Sequence, residues 1–151
     1  MAICFLSEDC DFLPPHRRKL SSWIKTTIIN ENRHLGDISY VFCSSDYHID
    51  INRRFLNHDY HTDVITFDYG DPDSGLVSGD IMIDPFTVAS NASIFNTNVD
   101  EELMRVIIHG ILHLCGYGDK SEPDAARMRA LENKYLHAYS EQFGSFPHSG
   151  L

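Results

Sequence analysis

The sequence is poor in positive charge. It has 12 lysine and arginine residues against 22 aspartate and glutamate residues, and its formal net charge is -10 at pH 7. This balance argues against a protein that coats nucleic acid, which needs a surplus of cations, and we expect no binding to DNA. Residues 16–19 and the pair Arg53 and Arg54 are candidates for local contacts to phosphate, although a solvated helix face is the simpler interpretation.

Long hydrophobic runs are also missing. No apolar run approaches the roughly 20 residues of a membrane span, so we expect no association with a membrane. The first nine residues lack a basic segment and soon turn acidic, which is not typical of a secretory signal. We therefore expect a cytoplasmic protein.

Cysteine motifs are absent as well. The four cysteines, Cys4, Cys10, Cys43 and Cys115, have spacings that fit neither a zinc ribbon nor a Cys-x-x-Cys motif. In a reducing cytoplasm we expect them to be small buried hydrophobic side chains rather than partners in a disulfide.

The 151 residues, 42% of them hydrophobic, fit a single globular domain that spans residues 1–151. Segments rich in β-forming residues predict strands at 2–6, 38–43, 62–69 and 79–84, with a polar break at 57–61. Helical periodicity and capping residues predict five helices. The first helix is predicted to begin at 14–15 and to end near 32–35. The other four are predicted from Ser45, over 85–96, over 99–115 and from Pro123. A frayed tail is expected from residue 143.

Two histidines, His109 and His113, lie four residues apart in the most apolar predicted helix. Positions i and i+4 share one helix face, so two imidazoles so placed can bind one metal ion. Gly116 is suited to the turn that ends a helix, and beyond it Asp119 can approach both rings. Two histidines and one carboxylate are a usual ligand set of a catalytic zinc site with an open position for water, and other divalent metals fit too. Histidines in the core or on the surface are the alternative for the bare pair.

Position 110 is glycine. In the zincin motif His-Glu-x-x-His, the residue after the first histidine is the general base. Gly110 therefore argues against a standard metalloprotease, and the general base is not identified by the sequence. A metal-dependent hydrolase of another substrate, such as a small ester, stays open as an alternative.

The residues of 109–117 resemble the signature of the YbeY family of metal-dependent endoribonucleases, which mature ribosomal RNA. Upstream residues agree with further family motifs, in the expected order: Asn52, Asp59, the Thr-Asp-Val run at 62–64, Phe67, and Ser-Gly-Asp-Ile at 78–81. The resemblance implies a compact, zincin-like α+β domain, in which a small mixed sheet of about four strands packs with about five helices.

The resemblance also implies a function. It predicts a single-strand-specific endoribonuclease that acts in ribosomal RNA processing, including 16S 3' end maturation, and in ribosome quality control. The implied partners are ribosomal RNA and the small ribosomal subunit. The implied cofactor is one Zn²⁺ per chain, held by His109, His113 and Asp119.

Three residues depart from the family pattern. Asp119 stands where the family usually has a histidine as third ligand, Leu56 where it has an arginine in the active cleft, and His61 where it has a proline. Arg53 or Arg54 could replace that arginine in binding substrate. Because the arginine is missing, a non-enzymatic, ribosome-associated module with a structural metal is a further alternative.

The second ring nitrogens of the two histidines need partners, since such partners orient metal ligands. Backbone carbonyls or nearby acidic groups are expected in this role. Asp80 and Asp84 are candidates, and capping of turns is an equal alternative for each.

Overall fold

The computed structural model describes residues 2–56, 62–71 and 73–151 and shows a mixed arrangement of strands and helices there. The elements follow in the order β1 (Ile3–Glu8), α1 (Arg17–Asn30), β2 (His34–Cys43), α2 (Ser45–Leu56), β3 (Val64–Asp68), β4 (Leu76–Ile83), α3 (Pro85–Ile94), α4 (Val99–Leu114) and α5 (Glu122–Phe143). The predicted α+β class, with about four strands and five helices, is confirmed.

The four strands form one mixed sheet in the order β1-β2-β4-β3. β1 pairs with β2 and β2 with β4 in parallel, whereas β3 pairs with β4 in antiparallel register, Thr66 opposite Ile81. Strands β3 and β4 follow one another in the chain. The antiparallel edge strand β3 lies beside the helix that carries the histidine pair, since α4 contacts both β3 and β4.

Gly110 lets α4 lie close to the central strand. A Cβ atom at this position would meet Ile81 Cγ2 at 2.7 Å, below any ordinary contact distance. A larger residue at position 110 would push the helix away from β4. The residue that argued against a protease base is therefore also required by the packing of α4 on the sheet.

The core lies between the sheet and helices α1, α4 and α5. Trp23 is buried, and its indole Nε1 donates a hydrogen bond to the carbonyl of Tyr135 at 2.8 Å. The hydroxyl of Tyr40 donates to the carbonyl of Ile107 at 2.8 Å, which ties β2 to the middle of α4. From Val106 onward α4 is buried almost all round, except at its two histidines.

Several predicted boundaries were wrong. Helix α1 begins at Arg17 rather than at the two prolines, because His16 takes a left-handed conformation at the N-cap position. Strand β2 begins at His34, four residues early, because α1 already ends at Asn30 and Asn32 turns the chain with a φ of 60°. The polar break predicted at 57–61, with Asp59 and His61, lies outside the described residues.

The tail was expected to fray, and this was wrong. Phe146 and Leu151 pack against the core. The backbone amide and hydroxyl of Ser149 donate to Asp100 Oδ1 at 2.9 and 2.6 Å, so the tail is fixed to the first turn of α4.

All four cysteines are free, but only Cys43 is fully buried, and Cys4 is exposed, contrary to expectation. Within the described ranges, no helix combines the length and the apolar character that crossing a membrane requires.

Candidate metal centre

The last turns of α4 place His109 and His113 side by side. Their ring centroids are 4.4 Å apart, and the rings are perpendicular. Their neighbours Ile108, Ile111 and Leu112 are fully buried, so this part of α4 exposes the face that carries the two histidines. The spacing of four residues therefore acts as expected and brings two imidazoles to one face.

A glycine turn brings the third group to the two histidines. Gly116 has a φ of 105°, and the amide of Tyr117 donates back to the carbonyl of Leu112 at 3.1 Å. This closing of the helix is the left-handed C-cap that glycine favours. After it the chain reverses, and Asp119 Oδ2 lies 3.3 Å from His109 Nε2 and 3.5 Å from His113 Nε2.

The orientation of both rings follows from their other nitrogens. His113 Nδ1 lies 2.8 Å from the carbonyl oxygen of Tyr117, and His109 Nδ1 lies 2.7 Å from Glu132 Oε2. A carbonyl and a carboxylate can only accept, so both Nδ1 atoms carry the proton. The lone pairs of both Nε2 atoms therefore point toward Asp119.

The protonation states agree with this orientation. Burial lowers the pKa of His113, with a further contribution from His109, and the opposing effect of Asp119 is smaller. The neutral imidazole, the form that binds metals, is therefore favoured. Burial alone would raise the pKa of Glu132, but the hydrogen bond and charge of His109 and the hydrogen bond from Arg105 outweigh it, and the pKa lies below its usual value.

These three groups fit a divalent cation. One ligand atom from each of His109, His113 and Asp119 lies within 4.8 Å of the others. Two imidazole nitrogens and one carboxylate oxygen form a donor set that zinc and other divalent metals accept. The Asp119 side chain is 38% exposed, so the group opens toward solvent.

The carboxylate of Glu31 stabilises the turn that follows α4. The hydroxyl of Tyr117 donates to Glu31 Oε1 at 2.5 Å, and the hydroxyl of Tyr135 donates to Glu31 Oε2. Since the carbonyl of Tyr117 holds His113, Glu31 supports that ring through one intermediate residue.

The sequence matches the family model described as endoribonuclease YbeY over residues 9–140. The chain belongs to this family. It is 43% identical over 142 residues to endoribonuclease YbeY of Parabacteroides distasonis, covering 94% of this chain and 99% of that protein. It is 45% identical over 143 residues to endoribonuclease YbeY of Porphyromonas gingivalis, covering 95% and 93%.

A solved structure is also similar. The solution structure of a Thermotoga maritima protein superposes with a TM-score of 0.63 at 27% identity, covering 94% of this chain and 91% of that one. The family assignment rests on agreement in sequence along most of the chain, and the solved structure shows a similar fold.

Asp80 and Asp84, the candidate partners of the histidines, have other roles. Asp80 Oδ2 accepts from the hydroxyl of Tyr69 at 3.1 Å. Asp84 caps α3, where Oδ1 accepts from the amides of Phe86 and Thr87. The prediction that they orient the histidines was wrong, and the alternative of a capping role is confirmed for Asp84. The expectation of a carbonyl and an acidic partner is confirmed, with Tyr117 and Glu132 in these roles.

Sequence reasoning missed Glu132. It lies on α5 among the residues that this helix buries: Met128, Glu132, Tyr135, Leu136 and Tyr139. A carboxylate on an otherwise apolar helix face is rarely buried without a partner. That signal could have identified Glu132 as a residue with a buried contact, although not the histidine that makes it.

The three candidate ligands line a cleft of about 510 Å³. Its other described walls come from α2, β3 and the segment after α4, with residues Asn52, Leu56, Thr62, Asp63, Val64, Ile65, Thr66 and Lys120. Among these lining residues Lys120 is the one lysine or arginine. Leu56 thus presents an apolar side chain to the cleft, at the position where the family pattern has an arginine.

Arg53 and Arg54 lie on α2 but outside the residues that line this cleft. Arg54 Nε pairs with Asp50 Oδ2 at 3.1 Å on the exposed side of the helix. Asp63 lines both the cleft and a smaller cavity of about 270 Å³, which His109 also borders. Burial raises the pKa of Asp63, and its own backbone amide and the nearby His109 reduce that effect.

Proposed function

We propose that this chain is a zinc-dependent endoribonuclease that cleaves single-stranded RNA in ribosomal RNA processing, including 16S 3' end maturation and ribosome quality control. One domain, residues 1–151, carries the activity in the cytoplasm, with ribosomal RNA and the small ribosomal subunit as partners. The observation that carries the proposal is the convergence of His109 Nε2, His113 Nε2 and Asp119 Oδ2 in an open cleft, in a chain of the YbeY family.

His109, His113 and Asp119 would hold the metal. Their three donor atoms leave room for further ligands, as in catalytic zinc sites. A bound zinc ion would supply Lewis-acid stabilisation of the charge that develops on a phosphodiester during cleavage. Other divalent metals are compatible with the same donors.

Two residues of the cleft can act on the substrate. Lys120 lines the cleft next to the candidate ligands and is placed to pair with the RNA phosphate. Asp63 is half-buried beside His109, and burial raises its pKa, which is the direction that favours proton exchange by a carboxyl group. Gly110 cannot supply that function, so Asp63 is the residue we assign to proton transfer.

Arg53 and Arg54 would contact the RNA farther along its backbone. Both are exposed at the end of α2 that leads to the cleft residue Leu56. The chain is acidic overall, so a small number of local cations must provide the attraction for RNA. This arrangement predicts weak binding outside the cleft and a shallow dependence on salt, because the slope grows with the number of phosphate contacts.

The alternatives have less support. A structural metal is normally enclosed by four protein ligands, whereas the described part of the chain offers three candidate ligands, which border a cleft that opens to solvent. A protease is disfavoured because Gly110 replaces the glutamate base.

The test is cleavage of labelled oligonucleotides by purified protein loaded with zinc. Single-stranded RNA should be cut, whereas the same sequence as a duplex or as DNA should not. Chelation of the metal should stop cleavage, and added zinc should restore it. Intact RNA across several divalent metals, with folded and metal-loaded protein, would contradict the proposal.

A further inference from the structure

We propose that Glu132 is a positioning residue of the metal site, which fixes the ring of His109 and makes it the stronger of the two histidine ligands. The inference rests on the proposed metal site but not on the reaction. It concerns a residue of α5 that lies outside the ligand set and outside the motif around the two histidines.

The contact between Glu132 and His109 is short and shielded from water. Glu132 Oε2 lies 2.7 Å from His109 Nδ1, and the residue is only 5% exposed. A hydrogen bond between a carboxylate and an imidazole N–H raises electron density on the ring and makes Nε2 a better metal ligand. It also fixes the ring orientation, since Nδ1 must carry the proton.

A buried carboxylate needs compensation, and Arg105 supplies it. Arg105 Nη1 donates to Glu132 Oε1 at 3.1 Å and to Asn133 Oδ1 at 2.8 Å. Each oxygen of Glu132 therefore has its own donor, one from Arg105 and one from His109. This pairing keeps the carboxylate ionised in a place where an isolated charge would be costly.

His113 has a different kind of partner. Its Nδ1 donates to the neutral carbonyl of Tyr117 at 2.8 Å, whereas the same nitrogen of His109 faces the carboxylate of Glu132. Hydrogen bonds to ionised acceptors are about twice as strong as those to neutral ones. The two histidines share one helix face but are unequal, and the buried charge of Glu132 is what separates them.

Metal affinity of Glu132→Gln, measured by competition with a chromophoric chelator, tests the role of the charge. We expect zinc affinity to fall about 10–100-fold, the usual cost of losing such a partner. Glu102→Gln is the matched control, because Glu102 Oε1 also lies near Arg105, 3.9 Å from Nε, and its described contacts include neither histidine. The control should stay within about threefold of the unaltered protein, since Glu102 lies 3.9 Å from Arg105 Nε, beyond hydrogen-bonding distance, and is not a partner of a ligand ring.

Nitrogen-15 spectra of the unaltered, zinc-loaded protein give a second readout, which does not depend on whether a variant folds. The Nδ1 proton of His109 should resonate farther downfield than that of His113, because it binds a carboxylate. In Glu132→Gln the His109 signal should move upfield, while the His113 signal serves as an internal reference.

Three results would overturn the inference. Equal losses of affinity in Glu132→Gln and Glu102→Gln would indicate a general charge effect. An unprotonated His109 Nδ1, or affinity within threefold of the unaltered protein in Glu132→Gln, would remove the positioning role. An unaltered protein that binds no divalent metal would contradict the metal site itself, whereas failure to cut RNA alone would leave this inference standing.

Discussion

The two sides of the cleft are built differently. On the α4–α5 side, His109 and His113 each have a partner at hydrogen-bonding distance, and Glu132 is buried behind them. On the α2 side, Leu56 and Phe55 are exposed, and Arg54 pairs only with its helix neighbour Asp50 among the contacts described. The proposed metal-binding side therefore rests on buried partner residues, whereas the proposed substrate contacts on α2 are exposed.

Substitutions on the two sides of the cleft should therefore have different effects. A substitution on the α4–α5 side breaks a network of buried polar contacts, so it should alter metal binding first. A substitution on the α2 side removes an exposed side chain, so it should alter substrate binding and leave the metal in place. The absence of the family arginine at Leu56 is a change of the second kind.

The largest effect is expected for His113→Ala. It removes a ligand, so zinc affinity should fall by more than about 100-fold, beyond the cost of losing a partner outside the ligand set. RNA cleavage should disappear with it. Titration with zinc and a cleavage assay check both, and full zinc content at stoichiometric metal would break the proposed division between the two sides.

Asp63→Asn should have the next largest effect. It retains the shape of the side chain but removes its proton exchange, so cleavage should slow by about 10²–10⁴-fold, the usual contribution of acid–base catalysis. Zinc content should not change, because Asp63 is not in the proposed ligand set. A single-turnover assay with metal analysis measures this, and an unaltered cleavage rate would remove Asp63 from the mechanism.

Lys120→Gln should have a moderate effect restricted to substrate. Loss of one phosphate contact should raise KM for RNA several-fold and reduce the slope of log affinity against log salt by about 1. The matched control is Lys25→Gln, which removes an exposed lysine on α1, far from the cleft residues in sequence. If both variants changed the salt dependence equally, the attraction for RNA would not be local to the cleft.

Asp100→Asn should have the smallest effect and none on the metal. Burial alone would raise the pKa of Asp100, but hydrogen bonds from Ser149 and His148 outweigh it and hold the pKa below 3.8. The stabilisation is therefore complete above the unfolded value and is lost as the pH falls through the lower, folded value. The difference in unfolding free energy between the two proteins should be about 1 kcal/mol near pH 6 and vanish in strong acid. A difference that does not depend on pH would contradict this role of the Asp100 carboxylate.

Local patterns explain what the sequence could predict. The positions of His109 and His113 follow from helix periodicity, and the approach of Asp119 follows from the turn at Gly116, all within eleven residues. The elements of the sheet were equally predictable, because alternating β-forming residues and turn residues lie next to one another in the chain.

Contacts between residues that are distant in sequence explain what the sequence could not predict. Glu132 meets His109 only because α5 packs against α4, and Ser149 meets Asp100 because the tail returns to the start of the same helix. Neither contact leaves a pattern in the sequence around its partner. Asp80 and Asp84 illustrate the opposite error, since their acidic side chains suggested partners for the histidines, whereas both accept hydrogen bonds from other residues.

The central claim is that Asp119 completes a catalytic metal site with the two histidines. It is tested most directly by zinc content and RNA cleavage, measured together on the unaltered protein and on Asp119→Ala. We expect about one zinc per chain and zinc-dependent cleavage for the unaltered protein, and loss of both in the variant. Unchanged zinc content in Asp119→Ala would contradict the account, because it would show that the third ligand lies elsewhere.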